Sequence, residues 1–361
     1  MKEHKPTVFL TGGTGLVGSY LLKILLEHGH RVFVLARSKQ EKSAEERVIE
    51  VLNFWDAAVC LRYKKNLFVL EGDITDENLG FDAKRTKLLT DEVEEIFHTA
   101  AITDFSWPLD RIRKVNVDGT SRLFNFACEL KKLRKINHIS TIYICGDYKG
   151  YFKETNLDVG QKFNSSYEQS KFEAEKLVEE FRKKGLWIDV FRPPIIIGET
   201  QTGKVLTFDR ALYQAVRLWN LEMFDFYPTK ENFYLYVVCV DELSKGIYCI
   251  SSKTSKSNIN YHPFSDQPLS PQEIMNYTCE FVGSKKPRLI PFVDYLKTKA
   301  TPTQMKLLKS NLLFLDRNAI LDSKETRQFL SKNGIEFSKF DRNLFERLLN
   351  YCLRRGFLRR K

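Results

Sequence analysis

A tyrosine and a lysine spaced four residues apart carry the most informative chemistry in this sequence. Tyr167 and Lys171 lie in the run Tyr-Glu-Gln-Ser-Lys, which opens an amphipathic segment that continues through residues 172–181. On a helix this spacing places both side chains on one face, one turn apart. The positive charge of the lysine favours the tyrosinate and lowers the pKa of the phenol, so Tyr167 becomes a proton donor or acceptor near neutral pH. The alternative is an ordinary pair on a helix surface.

Two hydroxyl side chains end an apolar strand that precedes this pair. Ser140 closes the predicted strand 135–140 and Thr141 follows it directly. A hydroxyl in this place would donate a hydrogen bond to the oxygen of a substrate carbonyl, where negative charge develops during addition. Ser140 and Thr141 compete for this role.

A glycine-rich turn near the N-terminus predicts a dinucleotide site. Residues 11–18 read Thr-Gly-Gly-Thr-Gly-Leu-Val-Gly, follow an apolar run and open a helical segment. Gly12 permits a tight turn, Gly15 lets a pyrophosphate approach the backbone, and Gly18 lets the helix pack closely on the strand. The helix N-terminus offers free N–H groups and the positive end of its dipole to the phosphates.

The end of the second predicted strand indicates which dinucleotide is bound. An acidic side chain there would bind the ribose hydroxyls of NAD. Arg37 stands at this position instead, with Ser38 and Lys39 beside it. A guanidinium pairs with a 2′-phosphate and stacks on adenine, so the sequence predicts NADP(H). The alternative is an exposed arginine without a ligand.

Strands and helices that alternate along the first half of the chain must position these residues. The predicted strands are residues 7–11, 31–35, 67–71, 95–99, 135–140 and 187–192, and the helices between them include residues 15–27, 44–55, 116–130 and 165–183. This alternation predicts a parallel sheet covered by helices on both faces.

The rhythm breaks after Gly198, where an aromatic-rich helix (208–219), a further strand (233–240) and its following helix (241–251) are predicted. We therefore expect a Rossmann-type, doubly wound α/β domain over residues 1–198, to which residues 234–262 return. A smaller, mainly helical substrate-binding cap takes residues 199–233 and 263–361.

An aromatic stretch in this region fits either an acyl tunnel or ordinary core, and core is the commoner use of such residues. Its members are Tyr213, Trp219, Phe224, Phe226, Tyr227, Phe233, Tyr234 and Tyr236.

Seven motifs in order resemble the extended short-chain dehydrogenase/reductase family. They are the glycine loop, Gly72-Asp73-Ile74, His98-Thr99-Ala100-Ala101, residues 115–120, the hydroxyl strand end, the Tyr-Glu-Gln-Ser-Lys run and residues 192–198. The chain is most similar to the thioester-reductase and fatty acyl-CoA-reductase branch, on Thr141, residues 167–175 and the closing segment 340–358. It departs from that branch at Cys239, where relatives have proline.

The resemblance implies a role for each catalytic candidate. Tyr167 is the general acid or base, and Lys171 is its electrostatic partner and a ligand of the nicotinamide ribose. Thr141 orients the carbonyl because it stands five residues before Gly146, as in the family. We then expect the Ser140 hydroxyl to hydrogen-bond within the sheet. Asn116 supports a proton relay to the lysine, caps the helix that begins there, or does both.

The resemblance also implies the cofactor contacts. Asp73 is expected to hydrogen-bond the adenine edge while Ile74 packs on the ring. The full set of cofactor residues is Gly12, Thr14, Gly15, Leu16, Val17, Gly18, Arg37, Lys39, Asp73, Ile74, Ala100, Ala101, Pro194 and Ile196, with Tyr167 and Lys171.

The implied activity is NADPH-dependent reduction of an acyl thioester, on an acyl carrier or coenzyme A, to an aldehyde or alcohol. One alternative is a nucleotide-sugar epimerase or dehydratase, or a hydroxysteroid-type dehydrogenase of the same family. Another is a non-enzymatic protein that senses NADPH, although such proteins often lose the tyrosine and lysine.

The net charge is +11, and its sharpest local expression is the C-terminal tail. Basic residues there are Arg342, Arg347, Arg354, Arg355, Arg359, Arg360 and Lys361, against Asp341 and Glu346. This tail fits an acidic acyl carrier protein, coenzyme A phosphates or peripheral contact with an anionic membrane, and a solvated helix end is the alternative. No nucleic-acid motif accompanies the charge, so we do not expect a nucleic-acid partner.

The remaining composition predicts a cytoplasmic protein. Seven scattered cysteines without a Cys-X-X-Cys pair favour free thiols in a reducing compartment over disulfides or zinc ligation. No run of apolar residues is long enough to span a membrane, and because few residues precede the first strand we expect no signal peptide.

Overall fold

The computed structural model describes residues 4–361 apart from 106, 210, 230–234, 256, 296, 299–300, 302–303, 306–307 and 309–317. Its strands are β1 (Val8–Thr11), β2 (Val32–Ala36), β3 (Leu67–Glu71), β4 (Glu95–His98), β5 (Lys135–Ile139), β6 (Lys149–Phe152), β7 (Ile188–Phe191), β8 (Ile195–Ile197), β9 (Phe226–Thr229), β10 (Val237–Cys239), β11 (Asn260–Tyr261), β12 (Arg288–Pro291) and β13 (Asn318–Leu321).

Helices surround these strands. They are α1 (Leu16–Glu27), α2 (Ala44–Trp55), α3 (Ala57–Tyr63), α4 (Ala83–Glu92), α5 (Leu109–Arg113), α6 (Thr120–Cys128), α7 (Ser166–Lys183), α8 (Ala211–Asn220), α9 (Val240–Lys253), α10 (Pro271–Val282), α11 (Phe292–Tyr295), α12 (Lys324–Lys332) and α13 (Arg342–Arg354). Short 3₁₀ turns cover Lys64–Asn66, Glu77–Gly80 and Ile142–Cys145.

Seven parallel strands form the central sheet in the order β11-β7-β5-β4-β1-β2-β3. Successive residues of its strands pack into two different cores: Val32 and Val34 face one side, while Phe33 and Leu35 face the other. Helices thus cover both faces, which is the reason the central strands β1 and β2 are almost wholly apolar. The predicted doubly wound α/β fold is confirmed.

The strand order reverses between β1 and β4, which are neighbours in register from Val8–Glu95 to Thr11–His98. Crossovers leave this point in opposite directions, so a crevice opens beyond the carboxyl ends of these two strands. The glycine loop after β1 and residues 99–101 after β4 lie at this crevice.

Part of the later chain adds to the sheet. β11 pairs with β7, and α9 packs against α1. Tyr248 of α9 contacts the turn that follows α1, through a hydrogen bond of 3.2 Å between its hydroxyl and Nε2 of His30. The strand predicted at 233–240 is present as β10, although residues 233 and 234 lie outside the described residues.

Three two-stranded parallel pairs lie outside the main sheet: β10 with β8, β12 with β9, and β13 with β6. The sequence predicted a mainly helical region beyond residue 263 and did not identify β12 or β13. Each of these strands pairs with a distant segment, so local periodicity carries no sign of the pairing.

The helix predicted at 116–130 begins earlier than expected. α5 starts after Pro108, a π-helical turn follows over Lys114–Gly119, and α6 continues from it. Asn116 therefore lies inside a continuous helical segment, and the interpretation that it caps a helix start is wrong.

Among the described helices, none combines the length and apolar character needed to cross a membrane. All seven cysteines are free thiols; Cys145, Cys239 and Cys249 are buried as expected, whereas Cys128 is exposed.

Candidate active site

The glycine loop after β1 is held by contacts that leave no room for a side chain at three of its positions. Gly12 has a φ of +74°, which L residues with a Cβ rarely adopt. A Cβ at Gly18 would lie 2.2 Å from the Gly12 oxygen and 2.4 Å from Oγ1 of Thr99. Gly13, to which the sequence analysis assigned no role, also has no room: a Cβ there would lie 2.6 Å from Cγ1 of Val34.

Gly15 is different, because it is exposed and has a single close neighbour. Among the described residues, the one atom close to a Cβ built at Gly15 is the Gly12 oxygen, at 3.3 Å. Gly15 is also the N-cap residue of α1, without a side chain that bonds the free N–H groups and without an acidic residue in the first turn. This uncapped, open helix N-terminus fits a pyrophosphate. Nearby, Leu16 is buried in the core and Val17 is half-buried.

Arg37 and Lys39 lie exposed beyond the end of β2. The Arg37 guanidinium forms an ion pair with Asp73, with 2.9 Å between Nη1 and Oδ2. Arg47, from the first turns of α2, donates to the Arg37 backbone oxygen and lies 3.5 Å from Oγ1 of Thr14. Arg47 is not among the residues predicted from the sequence. A basic residue one turn into the helix after β2 was the available signal.

Asp73 and Ile74 make more contacts within the protein than their expected role in adenine binding predicts. Oδ1 of Asp73 accepts from the backbone nitrogen and hydroxyl of Thr75, at 2.9 and 2.8 Å. Burial acts to raise the pKa of Asp73, but these bonds and the Arg37 contact outweigh it and lower the pKa. Ile74 is buried against Gly119, where an added Cβ would lie 3.1 Å from its Cγ2. Their adenine contacts remain predictions.

Tyr167 and Lys171 stand on the first two turns of α7. Ser165 caps this helix by accepting from the backbone nitrogen of Glu168 at 3.3 Å. Tyr167 is 8% exposed and Lys171 is 2% exposed. The alternative of a pair on a helix surface is therefore wrong, because the helix turns this face onto the sheet.

The Lys171 ammonium reaches the carboxyl end of β5. Nζ donates to the backbone oxygen of Ile139 at 2.9 Å and lies 3.4 Å from Nε2 of His138. Burial lowers the pKa of Lys171 to about 8, while the charge of Glu175 acts in the opposite direction.

Asn116 is positioned beside α7 by the π-helical turn. Its Oδ1 accepts from the Ile102 backbone nitrogen at 2.8 Å, and its Nδ2 donates to the Ile102 oxygen and to Oγ of Ser170, both at 3.0 Å. The structure thus brings Asn116 next to the Tyr-Lys helix, in contact with Ser170 rather than with Lys171.

Thr141 and Ser140 are both buried at the end of β5. Thr141 caps the Ile142–Cys145 turn: Oγ1 accepts from the Tyr143 nitrogen at 3.3 Å and donates to the Pro193 oxygen at 3.3 Å. Oγ of Ser140 has no hydrogen-bond partner within the described ranges. The expectation that the Ser140 hydroxyl bonds within the sheet is wrong, because it is the backbone nitrogen of Ser140 that pairs there, with Phe191.

The other expected cofactor residues follow strands at the same end of the sheet. The Ala100 nitrogen donates to Oγ1 of Thr11 at 3.4 Å, and Ala100 and Ala101 are both half-buried. Pro194 is buried after β7, and Ile196 is half-buried in β8. Phe105, which the sequence analysis missed, meets the Tyr167 ring edge-on, with centroids 5.3 Å apart.

The aromatic stretch after residue 208 is mostly core. Tyr213, Trp219, Phe224 and Tyr227 are all buried, whereas Phe226 is 41% exposed. Tyr236 is half-buried, and the expectations for Phe233 and Tyr234 lie outside the described residues.

A comparison with protein families places this architecture. Residues 10–247 match an NAD-binding family described as "Male sterility protein". The chain belongs to this family. The male sterility family is a branch of the extended short-chain dehydrogenases/reductases, so the resemblance found in the sequence is confirmed, and the chain takes a nicotinamide dinucleotide.

Curated relatives of this male sterility family member are much longer proteins. It is 25% identical to a linear gramicidin synthase of Brevibacillus parabrevis, across 99% of this chain and 7% of that protein. It is 24% identical to glycine betaine reductase ATRR of Emericella nidulans, across 98% and 29%. It is 30% identical to carboxylic acid reductase of Segniliparus rugosus, across 55% and 18%. The chain spans less than a third of each of these relatives.

Solved structures agree on the fold. The terminal R domain of the myxalamid PKS-NRPS pathway superimposes with a TM-score of 0.87 at 25% identity, covering 100% of this chain and 93% of that one. A thiolation-reductase di-domain from an archaeal non-ribosomal peptide synthetase gives 0.82 at 21% identity, covering 98% and 76%.

Proposed function

We propose that this chain is an NADPH-dependent reductase of acyl thioesters. The observation that carries the proposal is the buried Tyr167–Lys171 pair on α7, which faces the end of β5 on a sheet whose glycine loop is open at Gly15. Relatives named carboxylic acid reductase and L-2-aminoadipate reductase support the choice of reaction.

NADP(H) is the proposed cofactor. Arg47 lies beside Thr14 of the glycine loop and donates to the backbone oxygen of Arg37, whose exposed guanidinium pairs with Asp73, so two guanidinium groups are available to a 2′-phosphate on the ribose. Lys39 adds a third, exposed positive charge nearby. Guanidinium groups suit phosphate because their planar N–H donors match its oxygens.

The protein side of the reaction follows from the buried groups. The bound cofactor supplies a hydride to the carbonyl carbon. Tyr167 then gives its phenolic proton to the oxygen that gains negative charge. The Thr141 hydroxyl, which donates to the Pro193 oxygen in this structure, would turn to donate its hydrogen bond to the same substrate oxygen. Lys171 keeps its positive charge below about pH 8, which favours loss of the tyrosine proton.

Collapse of the tetrahedral product completes the first reduction of a thioester. The carbon–sulfur bond breaks as the hydroxyl proton returns to Tyr167, the carbonyl re-forms as an aldehyde, and the departing thiolate takes up a proton from water. A second hydride and a second proton, again through Tyr167, would give the alcohol. The same residues serve both steps because both place charge on the same oxygen.

We propose the domain division that the sequence predicted: residues 1–198 with 234–262 as the nucleotide domain, and residues 199–233 and 263–361 as the substrate-binding cap. The β11–β7 pairing and the α9–α1 packing support the return of the middle segment. The seven free thiols support a reducing, cytoplasmic setting.

We also propose that the thioester is presented by an acidic acyl carrier protein that approaches the basic C-terminal end. Several basic side chains there have local partners. Lys361 lies 3.2 Å from Glu222, and the Arg360 guanidinium lies 5.4 Å from the Phe281 ring centroid. Both remain near the surface, where they attract negative charge over about one Debye length, roughly 8–10 Å.

NADPH oxidation measured on a panel of substrates tests the proposed function. The panel contains an acyl-carrier thioester, the same acyl group on coenzyme A, the free aldehyde, and a sugar nucleotide. We expect turnover with a thioester and release of one thiol for each aldehyde formed. Turnover of the sugar nucleotide alone would reject the proposal in favour of the epimerase or dehydratase alternative. Cofactor binding without turnover of any substrate would favour an NADPH sensor.

A further inference from the structure

The buried Lys171 ammonium has few acceptors. Its closest partner is the backbone oxygen of Ile139, at 2.9 Å. Glu175, one helical turn further on, contributes a favourable charge, but Arg192 holds its carboxylate through three contacts of 2.7–3.1 Å. Within the described ranges, the side-chain acceptor that approaches this ammonium is Nε2 of His138, at 3.4 Å.

The chemistry of this contact determines the state of His138. Its ring is wholly buried and faces three groups that carry or can carry positive charge: Lys171, Arg182 and His98. Burial is the largest cause that lowers the pKa of His138, and Lys171 is the next. The imidazole is therefore neutral. An ammonium can only donate, so its contact with Nε2 requires the tautomer that carries the ring proton on Nδ1.

Nδ1 of His138 has no hydrogen-bond partner in the described part of the chain. The neighbouring His98 is equally buried, and its ring centroid lies 5.0 Å from that of His138. Both His98 nitrogens are satisfied, by Thr11 at 2.7 Å and by Thr120 at 2.9 Å. An unpaired buried N–H opposes folding, so its presence at His138 calls for a compensating role.

We propose that His138 is a positioning residue. Its Nε2 accepts one proton of the Lys171 ammonium, so that the other ammonium protons face Tyr167 and the cofactor ribose. A neutral acceptor suits this place because a carboxylate would cancel the positive charge that Tyr167 needs. The inference rests on the role given to Lys171 in the proposed function.

Replacement of His138 by phenylalanine tests the inference. His138→Phe keeps a flat ring against Phe124, whose centroid lies 5.9 Å away, but removes the acceptor. The Lys171 ammonium then loses stabilisation, so we expect the alkaline limb of kcat/KM to move about 0.5–1 pH unit lower. We also expect the KM for NADPH to rise ~3- to 10-fold, since the lysine is less well oriented. His138→Gln, which carries an acceptor oxygen, should restore the limb.

Three further variants separate the outcomes. His98→Phe, a matched buried neighbour, should lower the melting temperature without moving the alkaline limb. If the alkaline limb of kcat/KM is also unchanged in His138→Phe, the inference is overturned, whatever the stability of that variant. If Lys171→Met keeps full turnover, the proposed function itself fails. If His138→Phe does not fold, His138→Asn replaces it. Its shorter side chain should not reach the ammonium, so the alkaline limb of kcat/KM should stay at the lower pH. If His138→Asn and His138→Gln have their alkaline limbs at the same pH, the inference is overturned.

Discussion

The two ends of the proposed cofactor site are built under opposite physical conditions. At the catalytic end, Tyr167 and Lys171 are 8% and 2% exposed, and burial lowers the pKa of the lysine to about 8. At the adenosine end, the Arg37 side chain is 61% exposed and pairs with Asp73. Water and salt screen charges at the exposed end but not at the buried one. The buried end thus controls proton transfer, and the exposed end is suited to selecting the cofactor.

Removal of the transferable proton should have the largest effect. Tyr167→Phe keeps the ring but loses the hydroxyl, so kcat should fall by about two to four orders of magnitude while the Kd for NADPH stays nearly constant. NADPH oxidation and calorimetric titration measure the two quantities. Tyr143→Phe is the matched control, since Tyr143 is also 8% exposed and lies close to Thr141 in the chain. Unchanged kcat in Tyr167→Phe would contradict the catalytic assignment.

Changes at the exposed end should alter cofactor choice rather than chemistry. Arg37→Ala and Arg47→Ala should each weaken NADPH binding by ~1–3 kcal/mol, because each removes a charge-assisted contact to the 2′-phosphate. NADH binding should scarcely change, and the double variant should lose less than the sum because the two groups adjoin.

Calorimetric titration of both cofactors checks this prediction. Arg62→Ala, on α3, controls for the loss of a positive charge elsewhere. Equal affinity for NADPH and NADH in the unmodified protein would remove the basis for choosing NADP(H).

The pH dependence should distinguish the buried end from the exposed one. Lys171 has a lowered pKa of about 8, so it is charged below that pH and neutral above it. Activity that needs the charge should therefore fall as pH rises through about 8, by up to tenfold for each further unit. The measurement is kcat/KM from pH 6 to pH 10. We expect the affinity for NADPH to vary less with pH than kcat/KM does. A flat profile of kcat/KM across this range would show that the lysine charge is not required.

Salt should have the smallest effect, and only on the carrier substrate. Attraction between exposed charges accelerates association, so the second-order rate with an acyl-carrier thioester should fall several-fold as salt rises. The rate with a small neutral aldehyde should barely change. Neutralising Arg354, Arg355, Arg359 and Arg360 together should flatten the first dependence.

The matched control for the tail neutralises four basic residues remote from it, Lys84, Arg85, Lys87 and Lys131. This variant should keep the salt dependence of the carrier reaction. Identical salt responses for carrier and aldehyde would show that the tail is only a solvated helix end.

Local features of the sequence predicted the helices with few errors. The predicted helix 44–55 has the same bounds as α2, because Ser43 and Glu46 form a capping box at its start. The predicted helix 165–183 differs from α7 by one residue at its start, because Ser165 is the N-cap residue rather than the first helical residue. Errors arose where partners are distant in the chain: β6 pairs with β13 and β9 pairs with β12, and neither pairing leaves a local sign.

The sequence by itself determined the doubly wound fold, the open glycine loop and the spacing of Tyr167 and Lys171, because glycine conformation and helical periodicity are local properties. Only the tertiary structure decided what surrounds those groups. It placed Arg47 beside Arg37, left the Ser140 hydroxyl without a partner among the described residues, and set His138 against the Lys171 ammonium. Hydrogen bonding and desolvation depend on which distant segments meet, so the electrostatics of the site emerge only when the sheet and α7 pack together.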